Sequence, residues 1–580
     1  TSLSRSIVAT VLGQTHFGQV WLMRFGLAVA MALLLLAPRH RRGALRRLTG
    51  LFIAFGILVS LAWAGHGAAT PGSPGDLHLA ADMLHLLAAG AWVGALIPFA
   101  LFLAETRKQG GPGAAAARRA VRRFSLLAAI SVVVLLVGGL INTWFLAGSV
   151  PALIGTLYGR LLLTKIAIFA TMVTFGAVNL LRMSPRLAVS PTPRGLQAIR
   201  AALDHLRRNA GVEAGLSLGV IGIVAVLGIL PPGLHTEPGW PLPFRFEPAD
   251  LAASAKIALT VLAALAAASL VVGVATAAAG RYRSMMAAWA GLALCLGLGW
   301  ITVRPAIAPA YPTTFYAPAE PYAAASIVRG ARFYARNCAL CHGAGGNGDG
   351  PAAAGLAVRP ANLTAPHLFA HTPGDLYWWI SHGKADGAMP GFAGILGPAD
   401  RWDTINFVRA RAAGLLSRGI GAQFSAALAP AVPDFAFEIG GRQHTLSRTL
   451  PTGPVLLVLL GGQPAPPRLG QLATARQPLA AAGLSLVAVV LGPPVPVSAE
   501  AAPAPGIANV APEVAAALAL FHDPADGGET DLLLDRAGQV RARWTANSGA
   551  GLPDIPTLAT DARRVATLPA AAESHAEHVH

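Results

Sequence analysis

The chain has 580 residues, 54% of them hydrophobic and only 12% charged, with 44 Lys and Arg against 27 Asp and Glu for a net charge of +17. A mean hydropathy of +0.55 excludes an ordinary soluble protein and points to the membrane. Three cysteines exclude a disulfide framework. The placement of the charges, taken span by span, excludes nucleic acid as a partner.

The first residue is Thr1 and no signal-peptide pattern precedes the first apolar run, so a processed chain or one that begins part-way through a longer protein is expected. A transmembrane helix needs roughly 20 apolar residues. Eight stretches qualify, at about 18–37, 50–67, 79–104, 124–147, 158–182, 212–231, 250–279 and 285–303. The loops between them alternate. Arg39, Arg41, Arg42, Arg46 and Arg47 follow the first span, and Arg107, Lys108, Arg118, Arg119, Arg122 and Arg123 follow the third. Arg182, Arg186, Arg194, Arg200, Arg207 and Arg208 follow the fifth, and Arg281 and Arg283 the seventh. The intervening loops are nearly free of basic residues, with Arg245 the main exception. This pattern puts the basic loops in the cytoplasm and both ends of the membrane region outside.

Polar residues within these spans are costly and mark function. His66 ends the second span in "LAWAGHGAA". His78 and His85 flank the start of the third, seven apart and so on one helical face, with Asp82 and Met83 nearby. Asn142 and Trp144 close the fourth, and Arg160 and Lys165 open the fifth. Lys165 is expected to snorkel or to pair with a helix-end carbonyl.

The segments "HLLAAGAWVGALIPF", "RFSLLAAISVVVLLVGGLINTWF", "YGRLLLTKIAIFATMVTFGAVNLLRMSPRL" and "LGILPP" resemble the copper resistance protein D family over about residues 15–232. The resemblance implies a polytopic bacterial inner-membrane protein that moves copper, with further helices usual before the point where this chain starts. Imidazole and thioether ligands suit copper, thioether favouring Cu(I). His66, His78, His85 and Met83 are therefore candidate copper ligands. Two alternatives stand beside this reading. His66 and His85 could sandwich a haem b, or the histidines could bond loop backbone.

Residues 304–324, rich in Pro and Ala with three tyrosines, read as a semi-rigid linker leaving the membrane. Then comes "NCALCH": Cys338, Cys341 and His342 in the Cys-x-x-Cys-His pattern of c-type haem attachment. A bare Cys-x-x-Cys would also suit a redox dithiol or half a zinc site. The adjacent His favours haem, and no second pair exists to complete a zinc site. Residues 326–337 read as a helix into the motif, Gly343–Gly350 and Pro351 as a loop over the proximal side, and 398–414 as a closing helix. Met389, in "MPGF", is the expected sixth ligand, raising the iron potential. His367, His371 and His382 compete for that role but read as solvent-facing. Cys338, Cys341, His342, "GDGP" and "MPGF" resemble class I monohaem cytochromes c over about 324–415. The resemblance implies one covalent haem c, and that Pro351 helps to orient the proximal histidine.

From about Pro430, strands alternate with helices. A strand–turn pattern opens the region. Val455–Leu460 reads as a buried strand, Leu469–Ala482 as a helix kinked or shortened by Pro478, and Leu484–Leu491 as a second buried strand. "ETDLLLDRAGQVRARWT" reads as a hairpin turning at Ala537-Gly538. "PDF" and "LLLDRAGQVRARW" resemble the thioredoxin-like fold of the peroxiredoxin and Sco type. The stretch "GGQPAPPRLGQL" has no cysteine where that family carries its redox thiols, so thiol chemistry is excluded. The ending "AAAESHAEHVH" offers His575, His578 and His580 as a weak metal-chelating tail, with a solvated tail the alternative.

The expected architecture is an α-helical polytopic membrane domain over 1–303, with a family core at about 15–232 and two extra helices at 250–303. A linker follows at 304–324, then an all-α cytochrome c domain over 325–415. An α/β thioredoxin-like domain covers 430–567, and a tail covers 568–580. The expected function is copper transport or homeostasis at the inner membrane, with an external haem c exchanging electrons, and copper reduced on the way in. The alternatives are an electron-transfer subunit of a respiratory complex and a copper-delivery assembly factor for an oxidase. Partners follow as the lipid bilayer, copper ions and a periplasmic electron donor or acceptor. No catalytic triad, phosphate loop or paired-carboxylate site occurs, so a transporter or electron carrier is favoured over a stand-alone enzyme.

Overall fold

The computed structural model describes residues 5–37, 43–63, 65, 70–109, 111–188, 193–247, 251–278, 282–384, 388–425, 430–462, 466–492, 507–548 and 555–567. The chain divides into two compact units, Thr1–Pro309 and Ala310–His580.

The first unit is helical. It comprises α1 (Arg5–Gln14), α2 (His16–Leu36), α3 (Ala44–Ala62), α4 (Gly72–Lys108), α5 (Gly111–Ala147), a short α6 (Val150–Gly155), α7 (Leu157–Val178), α8 (Pro193–Leu227), α9 (Ala253–Ala278) and α10 (Tyr282–Val303). Among the described residues, eight helices are long and apolar enough to cross a bilayer, and they fall on the eight expected spans. α4, α5 and α8 run well past their apolar stretches into arginine-rich sequence. Arg, Lys and Ala are good helix formers, so leaving the hydrocarbon does not end the helix. Leu36, Phe52, Leu101 and Ile229 are exposed, while Trp92, Leu96 and Leu103 are buried. An apolar exterior around an apolar interior is what lipid-solvated helices require. Trp92 meets Phe169 of α7 edge-on at 6.0 Å. Arg245 is buried in a ribbon of β1 (Phe244–Phe246) and β2 (Ile307–Pro309), its guanidinium 3.6 Å from the Glu247 carboxylate. That pairing accounts for the one basic residue out of pattern.

In the second unit, α11 (Ala324–Asn337) leads into the single-turn α12 (Ala339–His342), followed by α13 (Pro373–His382) and α14 (Pro398–Ser417). α11 and α14 cross at Gly330, where a Cβ would overlap the Asp403 carbonyl. Tyr334 and Phe407 lie beside the crossing with ring centroids 5.1 Å apart. Ser326 Oγ (2.6 Å) and Arg329 (2.7 Å) both donate to the buried Asp403 carboxylate.

The proline-rich stretch after Pro309 is not a free linker. Thr313 donates to the Gly374 carbonyl (2.6 Å), Thr372 to the Thr314 carbonyl (2.8 Å) and Tyr322 to the Ala431 carbonyl (3.3 Å). Tyr311 stacks on Trp378 at 6.0 Å. Proline and alanine keep this backbone extended, but its hydroxyls and aromatic rings strap it down.

The remainder forms a hairpin of β3 (Ala436–Ile439) and β4 (Arg442–Thr445), a turn of helix α15 (Leu446–Thr449), and a five-stranded sheet with helices. The sheet contains β5 (Val455–Leu460), β6 (Ser485–Val490), β7 (Ile507–Ala508), β8 (Glu529–Leu534) and β9 (Val540–Thr545), in the order β7-β6-β5-β8-β9. β5, β6 and β7 run parallel, and β8 and β9 pair antiparallel. α16 (Pro466–Ala481) joins β5 to β6, α17 (Pro512–Leu518) precedes β8, and α18 (Ile555–Ala566) follows β9. Pro478 lies in the last turn of α16 and does not break it. The β8–β9 turn is held by Asp535, whose carboxylate accepts from Ala537 N (2.8 Å) and Gln539 N (2.9 Å), with Gly538 at φ +72°. That is the expected turn.

The helices before residue 415 and the α/β region after 430 pack on one core. Tyr334, Phe407 and Ala410 share one hydrophobic core with Leu518, Phe521 and Val540. Gly414 sits where a Cβ would overlap the Leu520 carbonyl, and Arg418 bonds Asp523 at 2.6 Å. Small residues on α14 (Ala410, Ala413, Gly414) permit this close seating.

Asp531 in β8 is buried 3.0 Å from Arg468. Burial pushes its carboxyl up to about 7, with Arg468 pulling the other way. Unfolded Asp titrates near about 4. Between about pH 4 and about pH 7 the folded state therefore holds a proton that the unfolded state has lost, and stability falls as pH rises. Calorimetric melting of the second unit across this window should show that slope, and Asp531→Asn should flatten it. An equal slope in the variant would assign the effect elsewhere.

Candidate haem centre and an intramembrane polar cluster

Cys338 caps α11 and His342 ends α12, so a single turn carries both thiols and the imidazole. The backbone N–H groups of Cys341 and His342 both donate to the Cys338 carbonyl, at 3.2 and 2.9 Å. Gly343 (φ +77°), Gly346 (+84°) and Gly348 (+79°) fold the following loop back, and Gly350 N reaches the Cys341 carbonyl at 3.1 Å. Tyr334 O–H donates to the Gly343 carbonyl at 2.8 Å, and burial pushes its phenol up to about 12.

His342 Nδ1 donates to the Ala361 carbonyl at 3.0 Å. That bond sets the ring and leaves Nε2 bare for a metal. The Ala361 carbonyl, next to Pro360, holds the ring, and Pro351 is exposed at the end of the glycine loop. Burial, then the neighbouring Cys341, pushes the Cys338 thiol up to about 11. A neutral thiol is a poor exchange nucleophile, which weighs against a redox dithiol.

The half-buried Met389 follows the turn at Gly383, and its carbonyl accepts from Lys384 N at 3.0 Å. Trp379 Nε1 is buried without a hydrogen-bond partner among the described residues. Such a donor needs an acceptor, and a haem propionate would supply one. Two thiols, an imidazole with bare Nε2 and an orphaned indole N–H fit a covalent haem, held by Cys338, Cys341 and His342. When bound, that haem supplies reversible one-electron iron chemistry.

In the membrane unit, α4 brings His78, Asp82 and His85 to one face. His78 is buried, 3.2 Å from Thr70 Oγ1 and stacked on Phe145 at 4.6 Å. Asn142 Nδ2 of α5 donates to Asp82 at 3.1 Å. His85 lies against Gly138 and Gly139 of α5, its buried Nδ1 without a hydrogen-bond partner among the described residues. Lys165 of α7 is half-buried and interacts electrostatically with Asp82 and His85. Met83 stands about 140° round the helix from His78, so it does not share that face. No group of three or more His, Cys, Asp or Glu side chains that could hold a metal occurs among the described residues. His66, His575, His578 and His580 lie outside the described residues.

A second polar group, missed in the sequence, lies toward the arginine-rich end of α7 and α8. Asn209 donates to Asn179 (2.6 Å), which donates to the buried Glu213 (3.2 Å). α7 passes here into a π-helical turn, Asn179–Met183. Its only sequence signal was a carboxylate at the start of an apolar span.

These features define a polytopic membrane protein joined to a c-type cytochrome domain. The family profile for the N-terminal domain of copper resistance protein D-like proteins matches residues 1–76, that for copper resistance protein D residues 118–227, and that for cytochrome c residues 327–412. The chain is 34% identical over 227 residues to copper resistance protein D of Pseudomonas syringae pv. tomato, covering 38% of this chain and 71% of that protein. It is 32% identical over 201 residues to copper transport protein CutJ of Bacillus subtilis (34% of this chain, 36% of that protein). With inner membrane protein YebZ of Escherichia coli it shares 31% identity over 175 residues (30% and 57%). The chain belongs to the copper resistance protein D family. No solved structure matches it.

Proposed function

We propose that this protein moves copper across the bacterial inner membrane and that its haem c, on the periplasmic side, exchanges electrons with that copper. The observation that carries the reading is the half-buried Asp82–His85–Asn142–Lys165 cluster on α4, α5 and α7. Ionisable side chains inside a bilayer mark substrate or ion pathways, and an imidazole suits copper. The arginine-rich loops orient the basic ends toward the cytoplasm, which puts this cluster in the outer half of the membrane and the haem outside. Met389 is the sixth iron ligand in this reading, its thioether raising the potential. The order β6-β5-β8-β9, with β8 antiparallel, supports a thioredoxin-like reading of the α/β region. Without cysteines that region serves as a platform for the cytochrome. The test is radioactive copper accumulation in cells that express the full chain. Accumulation above the empty-vector level is expected, and equal levels would sink the transport reading.

A further inference from the structure

The haem region carries an imidazole pair that neither the haem nor the membrane cluster uses. His367 lies in the 3-10 turn Pro366–Ala370 and His371 caps its C-terminal end. Their ring centroids are 6.2 Å apart with planes at 87°. His367 is exposed and His371 half-buried. With a metal–nitrogen bond of about 2 Å, an imidazole centroid stands roughly 3.2 Å from the metal, so two ligands reach centroid separations up to about 6.4 Å. The observed spacing therefore fits two imidazoles on one metal at a wide N–metal–N angle. A wide angle suits a trans pair on tetragonal Cu(II), and imidazole is a ligand that copper favours.

The pair also has a connection inward. His371 meets the Trp379 ring edge-on at 4.7 Å, and Trp379 carries the buried indole N–H that lacks a partner among the described residues. Lys384 Nζ lies 3.5 Å from the centroid of the same indole, which keeps Trp379 in place. One aromatic side chain thus touches His371 and carries an orphaned buried donor.

We propose that His367 and His371 bind Cu(II) at the surface of the cytochrome domain and that this copper is reduced there by the haem. This rests on the copper reading above. In the step, ferrous haem iron gives one electron to Cu(II), leaving ferric haem and Cu(I). No bond to copper need form or break, no proton moves, and a one-electron reductant refills the haem. Trp379, edge-on to His371, is a positioning residue for that imidazole.

The test uses the haem-loaded full-length protein in detergent. Cu(II) is added to the ferric form for electron paramagnetic resonance. In a second experiment it is added to the ascorbate-reduced, desalted form, and haem oxidation is followed optically with a Cu(I) chelator present. Wild type should show coupling to two imidazole nitrogens and one haem oxidised per Cu(II) consumed. His367→Ala/His371→Ala should lose that signal and oxidise at least tenfold more slowly, with its copper-free haem spectrum unchanged. The single exposed change His367→Ala should give the same direction without risk to folding. Unaltered copper coupling and oxidation rate in the variants would overturn the site. So would a changed copper-free haem spectrum, which would make one of these histidines an iron ligand. Cellular copper accumulation, measured in parallel, tests transport separately, so the failure of one reading is distinguishable from failure of the other.

Discussion

Replacing Cys338 and Cys341 together by alanine should leave the chain without covalent haem. Quantified per polypeptide, the pyridine haemochrome spectrum should fall from one haem c to none, one being the number its single Cys-x-x-Cys-His motif provides for. The effect is all-or-none because the thioethers are the attachment, whereas the pocket contributes only orientation. His342→Ala should keep attachment but lose the low-spin spectrum, since the imidazole set by Ala361 is then gone. A haem c signal surviving in the double cysteine variant would refute the centre outright. The same spectrum reads the membrane. A haem b component that disappears in His85→Ala would make His85 an iron ligand and turn the protein toward membrane electron transfer. Its absence leaves that imidazole to copper.

What could be read from residues alone followed from how local each signal is. Apolar runs and alternating arginine loops brought out all eight spans, because span length and charge bias are set by the bilayer and not by distant contacts. The haem turn was legible because five consecutive residues carry its chemistry. The Ala361 carbonyl was not, since it lies nineteen residues beyond His342 and any backbone carbonyl would look the same in sequence. The seating of α14 on the α/β region was hidden for a similar reason. Ala410, Ala413 and Gly414 look like ordinary helix residues until Phe521 and the Leu520 carbonyl lie against them. The expectation for Lys165 came from its position near a span end, which suits snorkelling. Only the packing of α7 near α4 supplies Asp82 and His85 as partners.

The Asp82–Lys165 relation separates structure from transport. Asp82→Ala leaves the Lys165 ammonium without its carboxylate inside the membrane, and Lys165→Met does the reverse. A charge inside the membrane that loses its nearby opposite charge is costly to hold there. Each single variant should therefore give markedly less monodisperse protein on size-exclusion chromatography in detergent. Removing both partners removes the uncompensated charge, so Asp82→Ala/Lys165→Met should recover the folded yield. Copper accumulation should not recover with it. The double variant keeps the packing of α4 against α5 but lacks the carboxylate to which Asn142 donates and the charge beside His85. Recovery of both yield and accumulation would make the pair a structural device, and the copper path would then have to run elsewhere. Recovery of yield alone would mean the membrane tolerates an apolar replacement here. The cost of holding two charges in hydrocarbon would then be borne for transport and not for folding.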